Sequence, residues 1–492
     1  MLHIRPMWQR RIDFINPAEA AARLRGMGGL AFLDSAMPHQ SLGRYAYVAA
    51  SPFADFTVDA EGARFASERL PGRPLDGLRQ VLQRFALPAV PGLPPFQGGA
   101  IGAIGYDFAH HLETLDRPVD LDPAVPSLLL HFYDVILAFD LQERTATIFS
   151  SGFPAEAAGR PERAEARIAE FLAALARPAD PLTPALVAPL SWSSNFTRES
   201  YEVAIERVRE YILAGDIYQA NVAQQFTADL PADFDGFAFY NRLREANPAP
   251  FAAYLEFPGL TVASSSPERF LKLAGRQVET RPIKGTAPRS ADPDEDAALG
   301  AALVASEKDR AENIMIVDLL RNDIARVATP ESVEVPVLCG LESYAAVHHL
   351  TSVVTATLRE DADGLDLVAA AFPGGSITGA PKIRAMDIIT EIEGRARGIY
   401  CGAIGYLGFD GSLDLNIAIR TVTLANGRAT LQAGGGITVL SNPAAEYEET
   451  LTKAARVFAA FETTPATMEA TRSGTTGDEA TGKKATAFGG TR

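Results

Sequence analysis

The stretch from Thr197 to Leu230, "TRESYEVAIERVREYILAGDIYQANVAQQFTADL", changes periodicity midway, and that change sets the fold class. Ala204, Ile205, Val208, Tyr211 and Ile212 recur at the spacing that lines one face of a helix, and Gly215 is a natural terminator for it. The following "IYQANVAQQFTADL" reads as a strand and places Gln219 near a helix-to-strand junction, where sites on rigid scaffolds often lie. From about Leu190 to Thr463, periodic helices keep alternating with strand-like runs, and most of the unusual polar residues fall there.

Working outward, the preceding part mixes β-like runs such as "LLLHFYDVILAFDL" with the Pro-rich surface connection "LPAVPGLPPFQGG" and an Ala-rich helix around Glu162 to Ala176. The sequence "GAIGY" occurs at Gly102–Tyr106 and again at Gly402–Tyr406, too short to establish a duplication. At 492 residues the chain exceeds one ordinary core, so it reads as one very large domain or two intimately joined ones. The expected regions are 1–185, a catalytic region at 186–463 and a disordered tail at 464–492. That tail is Gly/Thr/Ala-rich and nearly free of aromatics.

A net charge of -16, from 61 acidic and 45 basic residues, leaves no electrostatic footprint for nucleic acid or an anionic membrane. No apolar run is long enough to span a bilayer. Cys339 and Cys401 have neither metal-ligand spacing nor a disulfide framework, which suits a reducing compartment. A cytoplasmic location is the expectation.

Four constellations can carry chemistry. In "SEKDRAENIMIVDLLRND", Asp309 and Glu312 share a helix face one turn apart, although Asp309 also suits the first turn after an N-cap at Ser306. In "SNPAAEYEETLTKAARVFAAF", Glu446, Glu449 and Lys453 share a face opposite an apolar stripe, an arrangement equally common on solvated helices. Oxygen ligands from two elements without a His/Cys set would suit a hard cation such as magnesium. "FPGGSITGAPKIRAM" and "LQAGGGITVLSNP" are glycine-rich: in the first, Pro381 fits the first helical turn and the Gly379 and Ala380 amides could face an anion, while Gly434, Gly435 and Gly436 would admit a ligand close to backbone. Both are also compatible with plain turns. Finally, "ETRPIKGTAPRS" reads as a strand end entering a loop around Lys284. Such a lysine is ordinarily a solvated charge; the alternative is a desolvated, nucleophilic amine, with Glu268 of "SSSPERF" as its proton shuttle.

Taken together, "GDIYQANVAQQF", "SSSPERF", "RPIKGTAPR", "KDRAENIMIVDLLRND", "AVHHLTS", "GGSITGAPKIRAM", "YCGAIGYLGFDG", "LNIAIRT", "QAGGGI" and "EYEETLTKA" resemble the chorismate-utilising enzymes. That family includes the first components of anthranilate and aminodeoxychorismate synthases and, more distantly, isochorismate and salicylate synthases. The resemblance implies an α/β (α+β) fold of two large β-sheets packed as a sandwich with helices outside, and magnesium holding chorismate in a buried cleft. It implies that Glu312 and Glu449 are metal ligands, with Asp309 and Glu446 as second carboxylates, so that their two helices converge. It assigns substrate contacts to Gly285, Thr286, Ser376, Tyr400, Arg420, Gly434, Gly435, Gly436 and Lys453, and places His349 near the departing group.

Two positions discriminate within the family. Relatives that add water carry a lysine where this chain has Gln219, and anthranilate synthases carry "PIAGT" where it has "PIKGT". The resemblance therefore implies amination at C4 of chorismate through Lys284, with Glu268 as general acid and then base. It leaves anthranilate formation, or an idle chorismate-binding subunit, as the competing readings. Neither cysteine stands in an amidotransferase-like elbow, so ammonia is expected from a separate glutamine amidotransferase. "LAFLDSAMPHQSLGRYAYV" and "NPAPFAAYLEF" resemble segments that hold tryptophan in the family, with Ser35, Arg44, Tyr45, Pro250 and Phe251 as its neighbours.

Overall fold

A computed structural model describes residues 7–37, 42–120, 125–179, 189–344 and 347–462, so the tail expected at 464–492 and the boundary expected at 185 lie outside the described residues. The helix that opened the sequence reading spans Arg198–Ala214, starts in a capping box between Thr197 and Ser200, and ends at Gly215. Its strand spans Gln219–Asp229.

That strand belongs to one of two sheets, each of twelve strands among the described residues. In the first, Gln219–Asp229 lies beside Arg428–Ile437, followed by Thr421–Ala425, Leu260–Ser266, Phe251–Phe257 and Ala31–Asp34, all antiparallel. The second runs from Ile283–Pro288 through Val347–Thr357, Gln277–Arg281, Arg269–Ala274, Leu413–Ile417 and Ala403–Gly408 to Gly99–Ile104. Strands from both sides of residue 185 are therefore neighbours in both sheets. The two "GAIGY" copies meet in the second one, with Gly405 opposite Gly102.

Burial explains why the sheets stack. Ala31, Tyr47 and Val262 of the first pack with Ile101, Leu129, Ile404 and Tyr406 of the second in one dry cluster. Outside the first sheet lie Pro17–Leu24, Arg160–Leu175, Gly236–Ala246 and Pro443–Phe461; outside the second lie Pro74–Arg84, Glu307–Ala325 and Gly364–Ala371. Aromatic edges reinforce the latter core: Phe132, fully buried, meets Phe53, Phe65 and Phe85 at centroid distances of 6.1, 5.4 and 6.1 Å. This is the sandwich with helices outside that the resemblance implied. Among the described residues, no helix is long and apolar enough to cross a membrane.

Candidate active site

Lys284 does not sit in a loop. Gln277–Arg281 and Ile283–Pro288 are both strands on Val347–Thr357, because the chain stays paired through a bulge where a loop was expected. Between the pairs Ile283↔Thr351 and Thr286↔His349 the register gains one residue, so Lys284 and Gly285 oppose a single position. Gly285 makes this possible with φ +83, and a Cβ there would stand 3.0 Å from the Asp309 side chain. The bulge re-aims Lys284, whose Nζ donates to the Ser376 carbonyl at 2.9 Å.

Glu268 precedes the strand Arg269–Ala274 and is 5% exposed. Burial pushes its carboxyl up to about 7, against the Ser376 hydroxyl, the Lys284 charge and the Ile283 amide. Burial likewise lowers the Lys284 ammonium, against the pull of Glu312 and Glu268. Burial thus moves the acid and the amine toward each other's range.

The two acidic helices, Glu307–Ala325 and Pro443–Phe461, converge on this amine. Ser306 caps the first, accepting from the Asp309 amide at 3.3 Å and donating to its carboxylate at 2.5 Å, so Asp309 is tied to the cap. One turn on, Glu312 Oε1 is buried without a hydrogen-bond partner. Burial raises the Glu312 carboxyl, with Lys284 and Lys308 opposing and Asp309 and Glu446 adding to the rise. Burial also raises Glu446, opposed by the Ser441 hydroxyl and reinforced by Glu449. Desolvation raises the Glu449 carboxyl, but Lys453, Lys308 and Lys284 together hold it below its ordinary value. Lys453 Nζ lies 2.6 Å from Glu449 Oε1 and donates to the Gly434 carbonyl at 2.8 Å.

Gly435 supplies the space these groups face: a Cβ there would meet Glu446 Oε2 at 3.1 Å, Glu449 Oε1 at 3.4 Å and Lys453 Nζ at 3.7 Å. Among the described residues no three acidic, imidazole or thiol groups are already gathered as a coordination shell. The chemistry nevertheless fits a hard cation, since Glu312 has an orphaned buried oxygen and the neighbouring carboxylates border an open glycine. The opposed reading of the second helix, a purely solvated face, fails at Glu446, which is 5% exposed.

Of the remaining positions, Thr286, His349 and Arg420 interact with one another. Thr286 Oγ1 and His349 Nδ1 are 2.9 Å apart, and burial with the Arg420 charge lowers His349 to about 4, leaving it neutral near pH 7. Burial, with help from Arg456, lowers the Arg420 guanidinium, which has no hydrogen bond or ion pair among the described residues and is suited to a substrate anion. Gln219 is 1% exposed, with Oε1 unpartnered. Gly379 and Ala380 differ from the expectation of a free helix mouth: they form a short strand on Gln219–Ala220, and Pro381 caps the helix Lys382–Glu393. Tyr400 is buried and reaches the rest through Arg397, 5.7 Å from its ring.

Arg397 and Glu393 escaped the sequence reading. "EGRARG" offers two similar arginines, yet Arg395 is exposed beside Asp120 while Arg397 is 3% exposed and bonds Glu393, Ile377 and Asn221. Only the fold separates them.

Ser35, Arg44, Tyr45, Pro250 and Phe251 come together elsewhere, in a cavity of about 280 Å³ between the sheets that Tyr47, Arg269, Tyr406 and Asp414 also line. Arg269 there and Glu268 in the cleft are chain neighbours. Both arginines of the cavity are paired, Arg44 with Asp140 at 2.6 Å and Arg269 with Asp414 at 2.9 Å.

The profile of the chorismate binding enzyme family matches residues 32–459. Aminodeoxychorismate synthase component 1 of Klebsiella aerogenes is 45% identical over 363 residues, covering 74% of this chain and 77% of the relative. Anthranilate synthase component 1 of Streptomyces coelicolor is 39% identical over 456 residues, covering 90% and 85%. The crystal structure of anthranilate synthase component I from Streptococcus pneumoniae TIGR4 matches with a TM-score of 0.77 at 31% identity, over 86% of this chain and 94% of that one. On this breadth of agreement in sequence and fold, the chain belongs to the chorismate binding enzyme family.

Proposed function

We propose that this chain is the aminating component of an aminodeoxychorismate synthase. It exchanges the C4 hydroxyl of chorismate for an amino group, giving 4-amino-4-deoxychorismate for 4-aminobenzoate and folate synthesis. The observation that carries the reading is Lys284, placed by a bulge beside the buried Glu268 carboxyl, which burial pushes up to about 7. Its relatives named component 1 support it.

The half-buried amine, in its deprotonated form, adds to C2 of chorismate; the ring double bonds shift and the C4 hydroxyl leaves. Glu268 gives that hydroxyl its proton, so water departs and the carboxylate remains. Ammonia then adds at C4, the double bonds shift back, the lysine amine is released from C2, and Glu268 recovers a proton from the new ammonium. The Gln219 amide is not basic enough to abstract a proton from water, which disfavours hydration. Arg420 and Lys453 would orient the substrate's carboxylates, and His349 and Thr286 would line the departing side. Glu312 and Glu449, with Asp309 and Glu446 behind them, would hold magnesium, whose charge anchors a substrate carboxylate when bound.

Ammonia comes from a separate glutamine amidotransferase in this reading, and the protein works in the cytoplasm. Tryptophan is the proposed occupant of the cavity around Ser35, Arg44, Tyr45, Pro250 and Phe251, whose aromatic walls suit an indole.

Anthranilate formation is the competing reading, because an anthranilate synthase component is 39% identical over most of the chain. Incubation of the purified protein with chorismate, magnesium and ammonium, followed by mass identification of products, separates the two. The expected product is 4-amino-4-deoxychorismate without pyruvate; anthranilate and pyruvate in its place would overturn the reading.

A further inference from the structure

We propose that Arg397 is a positioning residue of the amination reaction: it clamps the turn whose carbonyl holds Lys284, and so sets the approach of the amine to the substrate. The proposal rests on the function proposed above and adds a residue that does not itself face the cleft.

The geometry is a chain of adjacent contacts. Residues 374–378 form a tight turn, with the Gly375–Ile377 helical segment at its centre. The Ser376 carbonyl accepts from Lys284 Nζ at 2.9 Å, and the next carbonyl, that of Ile377, accepts from Arg397 Nη1 at 3.1 Å. One peptide unit thus separates the anchor of the amine from the guanidinium. The same guanidinium donates from Nη2 to the Asn221 carbonyl at 2.5 Å, tying the turn to the strand that begins at Gln219.

The guanidinium is itself fixed on every side. Nε and Nη2 donate to the two oxygens of Glu393 at 2.9 and 2.6 Å, and Glu393 Oε1 also accepts from the Ala223 amide at 2.8 Å. The Tyr106 ring lies 4.6 Å from the guanidinium carbon and the Tyr400 ring 5.7 Å. The Arg397 carbonyl accepts from Gln432 Nε2 at 3.0 Å.

This arrangement is costly if stability is its only purpose. A buried ion pair is seldom better than well-packed apolar side chains, because desolvation offsets most of the attraction. A planar fork with donors on both edges does what apolar packing does not: it fixes three backbone segments relative to one another through directional bonds. Two of those segments carry Ser376 and Gln219, which flank the cleft. Lysine keeps the charge but lacks the fork, so Arg397→Lys separates the two roles.

The test compares wild type, Arg397→Lys and Glu393→Gln for melting temperature, for kcat and KM with chorismate and ammonium, and for the rate at which Lys284 is modified by chorismate without ammonium. The expected result is a folded variant with kcat lowered about a hundredfold, the cost of about 1 Å of misplacement. The modification rate falls in proportion, while KM for chorismate is little changed. Folded variants with wild-type kcat and modification rate overturn the proposal. If Arg397→Lys does not fold, Glu393→Gln decides: a folded protein with slowed modification supports it, and one with normal kcat overturns it. Loss of folding in both assigns the pair to stability and also overturns it. A wild-type protein that makes no 4-amino-4-deoxychorismate sinks the proposed function itself; wild-type amination with unaffected variants sinks only the role of Arg397.

Discussion

Lys284→Ala is expected to lower formation of 4-amino-4-deoxychorismate more than about a thousandfold, the scale on which loss of an enzyme nucleophile is felt. Chorismate binding should survive, because Arg420, Lys453 and the carboxylate cluster are left in place. Measured by product mass and by equilibrium titration with chorismate, the variant should therefore lose kcat and keep affinity. Lys284→Arg sharpens the test. It retains positive charge beside Glu312 and Glu268 but, unlike the lysine, has no amine that can be deprotonated to a nucleophile. Arginine should be as inactive as alanine if Lys284 is a nucleophile, and substantially active if it serves only as a fixed charge.

Glu268→Gln is expected to cost about 10²- to 10⁴-fold in kcat/KM, the range for loss of a general acid-base group. Its pH signature follows from the direction of the shift. Burial holds the carboxyl protonated up to about pH 7, and it must carry that proton to expel the C4 hydroxyl as water. Activity should accordingly fall as pH rises through about 7. On the acid side, protonation of Lys284 removes the nucleophile, and burial moves that limb below the ordinary lysine range. The glutamine variant cannot lose a proton there, so its residual activity should show no alkaline limb near 7. A profile identical to that of wild type would remove Glu268 from the chemistry.

The legibility of this site in the sequence varies with the range of the interactions. Local physics was readable: the helix cap at Ser306 and the stop at Gly215 depend on residues within one turn. The sandwich was reached through ordered motifs, because strand order in two antiparallel sheets depends on pairings across hundreds of residues, such as Ala31–Asp34 with Phe251–Phe257. The bulge at Lys284 was invisible for a related reason. Its existence depends on a register against Val347–Thr357 that the lysine's own neighbours do not encode. Gly379 and Ala380 were left open between an anion-facing helix mouth and a plain turn, because their strand partner, Gln219–Ala220, lies far away in the chain. Charge was hardest of all. Periodicity put Glu446 and Glu449 on one helix face, but only packing shows that Glu446 is buried while Glu449 stays exposed, or separates Arg397 from Arg395.

Covalent attachment at Lys284 is the most direct test of the central claim. The protein is mixed with chorismate and magnesium, without ammonium, quenched, digested and examined by mass spectrometry. The account predicts a Lys284-bearing peptide heavier by chorismate less one water, absent from Lys284→Ala and discharged to 4-amino-4-deoxychorismate when ammonium is supplied before the quench. An unmodified Lys284 peptide from protein that goes on to aminate chorismate at the normal rate would contradict it.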